Sequence, residues 1–112
     1  MIRKYILVTL ISTSFAVAAS AADKLEYNRD IRPILAENCF ACHGPDSAAR
    51  KGDLRLDRRE MAMESTAIIP GNPEKSGLVS RIHSDNPDER MPPPESKKEL
   101  TAAQKETLRR WI

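Results

Sequence analysis

Residues 39–43 read Cys39-Phe40-Ala41-Cys42-His43, and this short run sets the expectations for the rest of the chain. Two cysteines three positions apart, followed at once by a histidine, form the C-x-x-C-H pattern of covalent haem attachment. The spacing has a physical reason. Two thiols on one turn of chain can bond the two vinyl groups of neighbouring pyrrole rings, and the next residue then projects its imidazole to the iron from the same side. His43 is therefore expected to be the proximal iron ligand, with its other ring nitrogen held by a backbone or side-chain acceptor. The expected cofactor is haem c, one per chain.

Other chemistries use the same residue types. A disulfide or a thioredoxin-like redox pair fits two cysteines at this spacing, but that pair is expected beside a βαβ pattern, and no strand-rich segment flanks residues 39–42. A zinc site would have to draw on Cys39, Cys42, His43 and His83, the only cysteines and histidines in the chain. Adjacent Cys42 and His43 would then ligate one tetrahedral ion, which departs from the usual ligand spacing.

Upstream, Asn28 or Asp30 is an N-cap candidate for a helix running to about Asn38. Ile31, Ile34 and Leu35 form one apolar stripe at helical spacing, and Pro33 is early enough to be tolerated. Downstream, Gly44 to Asp53 is a polar loop, and Leu54 and Leu56 alternate with Arg55 as a short extended piece. Arg58 to Met63 has the look of a short helix. Pro70-Gly71-Asn72-Pro73 is a turn, with Pro73 suited to the first position of a helix over about Pro73–Ile82. Leu78, Val79 and Ile82 are expected to face inward. Asp85 to Lys98 is a proline-rich loop. Thr101 to Gln104 is a capping-box pattern opening a last helix with Leu108, Trp111 and Ile112 on one side. Trp111 has the reach to touch the haem edge or the first helix.

The first 22 residues belong to something else. Arg3 and Lys4 precede a mostly apolar run from Tyr5 to Val17 and an A-x-A site at Ala19-Ser20-Ala21. A basic start, a short apolar run and small residues describe a secretory signal peptide over 1–22. The run is short of the about 20 residues a spanning helix needs, so no stable membrane span is expected after cleavage. The expected location is the periplasm or cell envelope, with one domain over 23–112. The chain has 18 Lys plus Arg against 16 Asp plus Glu; without Arg3 and Lys4 the two balance. No basic patch with interleaved aromatics remains, so nucleic acid is not an expected partner. Tyr27, Phe40 and Trp111 are the only aromatics after the leader. A domain this small is often marginally stable alone, and two cysteines are too few for a disulfide scaffold. A large apolar macrocycle at the centre supplies what the side chains lack. The chain stops at Trp111-Ile112 without the usual helix punctuation, and a longer polypeptide is expected.

The sixth iron position decides between carrying electrons and binding small ligands. After the leader the methionines are Met61, Met63 and Met91, and His83 is the one further histidine. Met91 lies in Glu89-Arg90-Met91-Pro92-Pro93-Pro94, where the prolines fix φ and stiffen the loop. Its 48 positions from His43 allow the chain to pass round the macrocycle and return. Met61 and Met63 sit on an expected helix, where methionine is usually core filler. His83 precedes Ser84-Asp85-Asn86, a surface-like turn. Met91 is the leading candidate, with His83 and an open site as alternatives.

Several segments together resemble the planctomycete-type cytochrome c domain. They are Asn28 to Leu35, Cys39 to Asp46, Leu54 to Asp57, Ile69 to Glu74, Arg90 to Pro94 and Arg110 to Ile112. The resemblance spans about residues 26–112. It implies an all-α, cytochrome c-like fold of three to five short helices wrapped round one covalent haem, with long loops. It also sets Met91 at the position of the family's axial methionine. Such domains stand at the amino end of larger exported proteins. The function it implies is one-electron transfer to a redox partner protein or to a downstream domain of the same polypeptide, rather than enzyme catalysis. The rival expectation is a five-coordinate haem sensor controlling an attached domain. Peroxide reduction is a more distant third, since no acid or base stands out near the motif.

Overall fold

Four short α-helices, a π turn and two 3₁₀ turns are joined by long loops in the computed structural model, which describes residues 12–14 and 24–112. The leader expected over 1–22 lies outside the described residues except for 12–14. Among the described residues there is no strand, and no helix is long and apolar enough to cross a membrane. The fold is the small all-α arrangement that the sequence predicts.

The chain enters through the π turn Tyr27–Ile31 and passes directly into α1, Arg32–Asn38. Neither Asn28 nor Asp30 is the cap, because the helical path starts before both. Asp30 lies inside the turn, and its Oδ2 reaches back to accept the Glu26 N–H at 2.8 Å. Arg29 Nε and Nη2 donate to the same carboxylate, and these bonds hold it below the usual carboxylate range. Pro33 falls within the first two positions of α1, where its missing N–H has no helical partner to lose. Ile31 and Leu35 are fully buried and Ile34 packs against them, as the stripe predicts.

Helix α2 spans Arg59–Glu64 and buries Ala62. The single helix expected over Pro73–Ile82 is broken in two: a 3₁₀ turn at Pro73–Lys75 and α3 at Gly77–Ile82. Ser76 causes the break. Its backbone is extended (φ −74°, ψ 125°) and its side chain is wholly buried. Ser76 Oγ accepts the Ile69 N–H at 2.8 Å and donates to the Asn72 carbonyl at 2.9 Å. The first N–H groups of α3 are in turn taken by loop carbonyls, Gly77 N to Thr66 O at 3.0 Å and Leu78 N to Ala67 O at 2.9 Å. A serine that satisfies the 69–72 loop from inside therefore outweighs helix continuity. Ser76→Ala leaves these part-buried groups without their partner, and a destabilisation of about 1–3 kcal/mol is expected in urea unfolding of the haem-loaded protein.

Helix α4, Ala102–Trp111, opens with the predicted capping box. Thr101 Oγ1 accepts the Gln104 N–H, and Gln104 Oε1 accepts the Thr101 N–H. It packs on α3 and the π turn, burying Leu108 completely. Trp111 meets Tyr27 with ring centroids 5.7 Å apart. Of the two contacts its position allowed, the one at the start of the first helical segment is formed. The core comprises Ile31, Leu35, Leu56, Ile68, Leu78, Ile82, Leu100 and Leu108 with smaller residues between them, a thin set for a domain of this length.

Candidate functional site

The C-terminal carbonyls of α1 are closed off where the motif begins. Asn38 Nδ2 donates to Ile34 O at 2.8 Å, Lys98 Nζ donates to Glu37 O, and the N–H groups of Cys39 and Phe40 both reach Leu35 O. The motif then forms one further turn, with Cys42 N and His43 N both bonded to Cys39 O. This turn places Cys39 and Cys42 on the same side as His43. Gly44 follows because nothing larger fits: a Cβ there would stand 2.2 Å from the Phe40 carbonyl oxygen. Gly44→Ala must push the motif turn open, at an expected cost of about 1–3 kcal/mol, read as a lower denaturation midpoint of the haem-loaded protein.

The polar loop returns to the motif. Asp46 Oδ1 accepts the Ala48 N–H, and Gly52 and Asp53 turn the chain through left-handed backbone (φ 62° and 51°). Lys51 N then bonds Cys42 O at 2.7 Å, and Leu56 N bonds His43 O at 2.8 Å. This return brings the Lys51 carbonyl 3.1 Å from His43 Nδ1. A neutral ring that donates Nδ1–H to that carbonyl has Nε2 available to a metal. The predicted acceptor for the second ring nitrogen is thus a backbone carbonyl eight residues on.

Cys39, Cys42, His43 and Met91 line one cavity of about 970 Å³, at the upper end of the range of about 300–1,000 Å³ for small-molecule and cofactor sites. Leu54 and Leu56 from the extended piece, Leu78 and Ile82 from α3, and Pro92 and Pro93 complete its apolar wall. Burial pushes the Cys39 thiol up to about 11, with the Lys98 charge opposing the shift. Met91 is half-buried, and its N–H donates to Arg81 O at 3.1 Å. The Arg90 and Glu89 N–H groups are both held by Asn86 O. The proline loop is therefore fastened to the end of α3 where it lines the cavity. Two thiols, an imidazole whose Nδ1 has a carbonyl partner and a thioether around a largely apolar space fit a covalent haem.

The other candidates lie elsewhere. His83 is exposed at the end of α3, with Nδ1 2.9 Å from Val79 O. It faces a shallow groove with Glu99, Lys105 and Glu106 rather than the cavity. Met61 and Met63 are on α2, half-buried and exposed respectively, and neither lines the cavity. No cluster of three metal-ligating side chains of the zinc type occurs among the described residues.

Helices folded round a cavity that is lined by a C-x-x-C-H motif describe a c-type cytochrome domain. The profile of the planctomycete cytochrome C family matches residues 39–95, half of the chain, and the chain belongs to that family. The matched span runs from Cys39 through the proline loop; α4 and the first helical segment lie outside it. Membership implies covalently bound haem c and the electron-carrier role typical of cytochrome c domains. Neither the curated proteins nor the solved structures contain a match to this chain.

Proposed function

We propose that the domain is a one-electron carrier whose single haem c is joined through thioethers to Cys39 and Cys42 and ligated by His43 and Met91. The observation that carries this reading is the convergence of all four side chains on one apolar cavity, with His43 Nδ1 occupied by the Lys51 carbonyl. The bound haem supplies reversible cycling between ferric and ferrous iron. The chain does the rest. His43 offers Nε2, the motif turn holds the two sulfurs on one side, and the apolar wall excludes water. Met91 is presented by a loop whose prolines leave little freedom to lose and whose backbone is tied to α3 through Arg81. Were haem iron bound there, a thioether held in this way would favour its ferrous state and so a raised potential.

The partner is a redox protein or a downstream domain of the same polypeptide, and the folded unit is residues 23–112, released by cleavage of the 1–22 leader into the periplasm or cell envelope. Covalent attachment suits that location, where a dissociated haem is lost. Carbon monoxide binding to the ferrous protein tests the electron-carrier reading against the sensor. Slow, weak binding limited by displacement of a ligand is the expected result. Fast binding to an already open iron would transfer the site to ligand sensing.

A further inference from the structure

Four cationic side chains line the cavity: Lys51, Arg81, Arg90 and Lys98. Lys98 Nζ is engaged by Glu37 O, and Arg81 Nη1 donates to Glu89 O at 3.3 Å. Lys51 is exposed. Arg90 differs from all three. It is half-buried, and its guanidinium forms no hydrogen bond or ion pair among the described residues, although Asp88 and Glu95 lie on the same wall. The contrast with Arg55 is direct: that side chain, also half-buried, forms a two-point pair with Asp57. A guanidinium carries five N–H donors in a planar fork, and those of Arg90 are open to solvent on the cavity wall rather than spent on the protein.

We propose that Arg90 anchors a haem propionate through a two-point, charge-assisted pair. This inference rests on the proposed haem site. A haem periphery is apolar apart from its two carboxylates, and a carboxylate drawn into a largely apolar cavity needs a cation and several donors to offset its lost hydration. The arginine fork matches carboxylate geometry where a lysine does not. Arg90 is also held in place for this task, because its own N–H bonds Asn86 O at 2.9 Å and the next N–H bonds Arg81 O. One fastened stretch of chain then gives Met91 to the iron and Arg90 to the rim of the same macrocycle. A cation there stabilises the ferrous form, which carries one positive charge fewer at the iron, and so raises the midpoint potential.

The test uses the haem-loaded protein with Arg90→Gln and Arg90→Lys. Resonance Raman reads the propionate-bending mode, and redox titration reads the potential at a single pH. Arg90→Gln is expected to shift the propionate mode and lower the potential while the methionine–iron charge-transfer band persists. Arg90→Lys keeps the charge but not the fork, so the potential recovers largely while the mode remains displaced. An unchanged mode in either haem-loaded variant overturns the proposal. If Arg90→Gln does not fold, Arg90→Lys decides alone by the same criterion. Failure of the haem reading itself is separate and visible beforehand, as a wild-type chain with no covalent haem.

Discussion

A chain with both Cys39→Ala and Cys42→Ala is expected to leave a haem-maturing host without covalent haem and without its native fold. The two losses are linked. Fully buried large side chains are few, namely Ile31, Leu35, Ile82 and Leu108, and the helical segments they belong to are five to ten residues long. Helices of this length are marginal in water unless tertiary packing supports them. The cavity of about 970 Å³ is walled by α3, the last residue of α1 and the loops rather than by a closed set of helices. Leu54, Leu56, Leu78 and Ile82 form its apolar wall, and without a macrocycle against them that surface is left to water, which opposes folding. Without the macrocycle the walls collapse or flood. Far-UV circular dichroism and the visible spectrum of the double variant check both halves: little helix and no bound haem. A haem-free variant with native helix content would show that the side chains alone sustain the fold.

Replacing Met91 by histidine is expected to lower the midpoint potential on the order of a tenth of a volt or more, within the about 0.8 V that axial ligands span. The thioether favours ferrous iron relative to a second imidazole. The loop that presents residue 91 is anchored by main-chain bonds, from Arg81 O and Asn86 O, which the substitution leaves intact. A redox titration of haem-loaded Met91→His checks the shift. An unchanged potential would remove Met91 from the iron.

The reading of the motif extended further than its five residues. Cys39-Phe40-Ala41-Cys42-His43 carries its chemistry in local spacing, and it required an acceptor for the second imidazole nitrogen. It could not say that the acceptor is Lys51, because that contact depends on how the 44–53 loop closes, through Gly52 and Asp53 in left-handed backbone. The capping box at Thr101 and Gln104 was legible because both halves are local. The break at Ser76 was not. Serine is tolerated in helices, and only its burial under the 69–72 loop turns it into a junction. Neither Asn28 nor Asp30 serves as the cap for a related reason. A good capping residue stood at the right distance from an apolar stripe, yet the π turn began earlier and enclosed it. Arg90 beside Met91 carries no local signal, since an arginine in a polar loop is ordinarily solvated. Its place on the cavity wall with no protein partner is a property of the folded chain alone.

The central claim is that Cys39 and Cys42 carry a covalent haem. Intact mass spectrometry of the chain, expressed with a haem-maturation system and read beside its pyridine haemochrome spectrum, tests it most directly. The account predicts a mass increase of one haem that survives denaturation, with a c-type haemochrome in one-to-one ratio to protein. A chain of unmodified mass would contradict it and return Cys39 and Cys42 to a disulfide or a metal site.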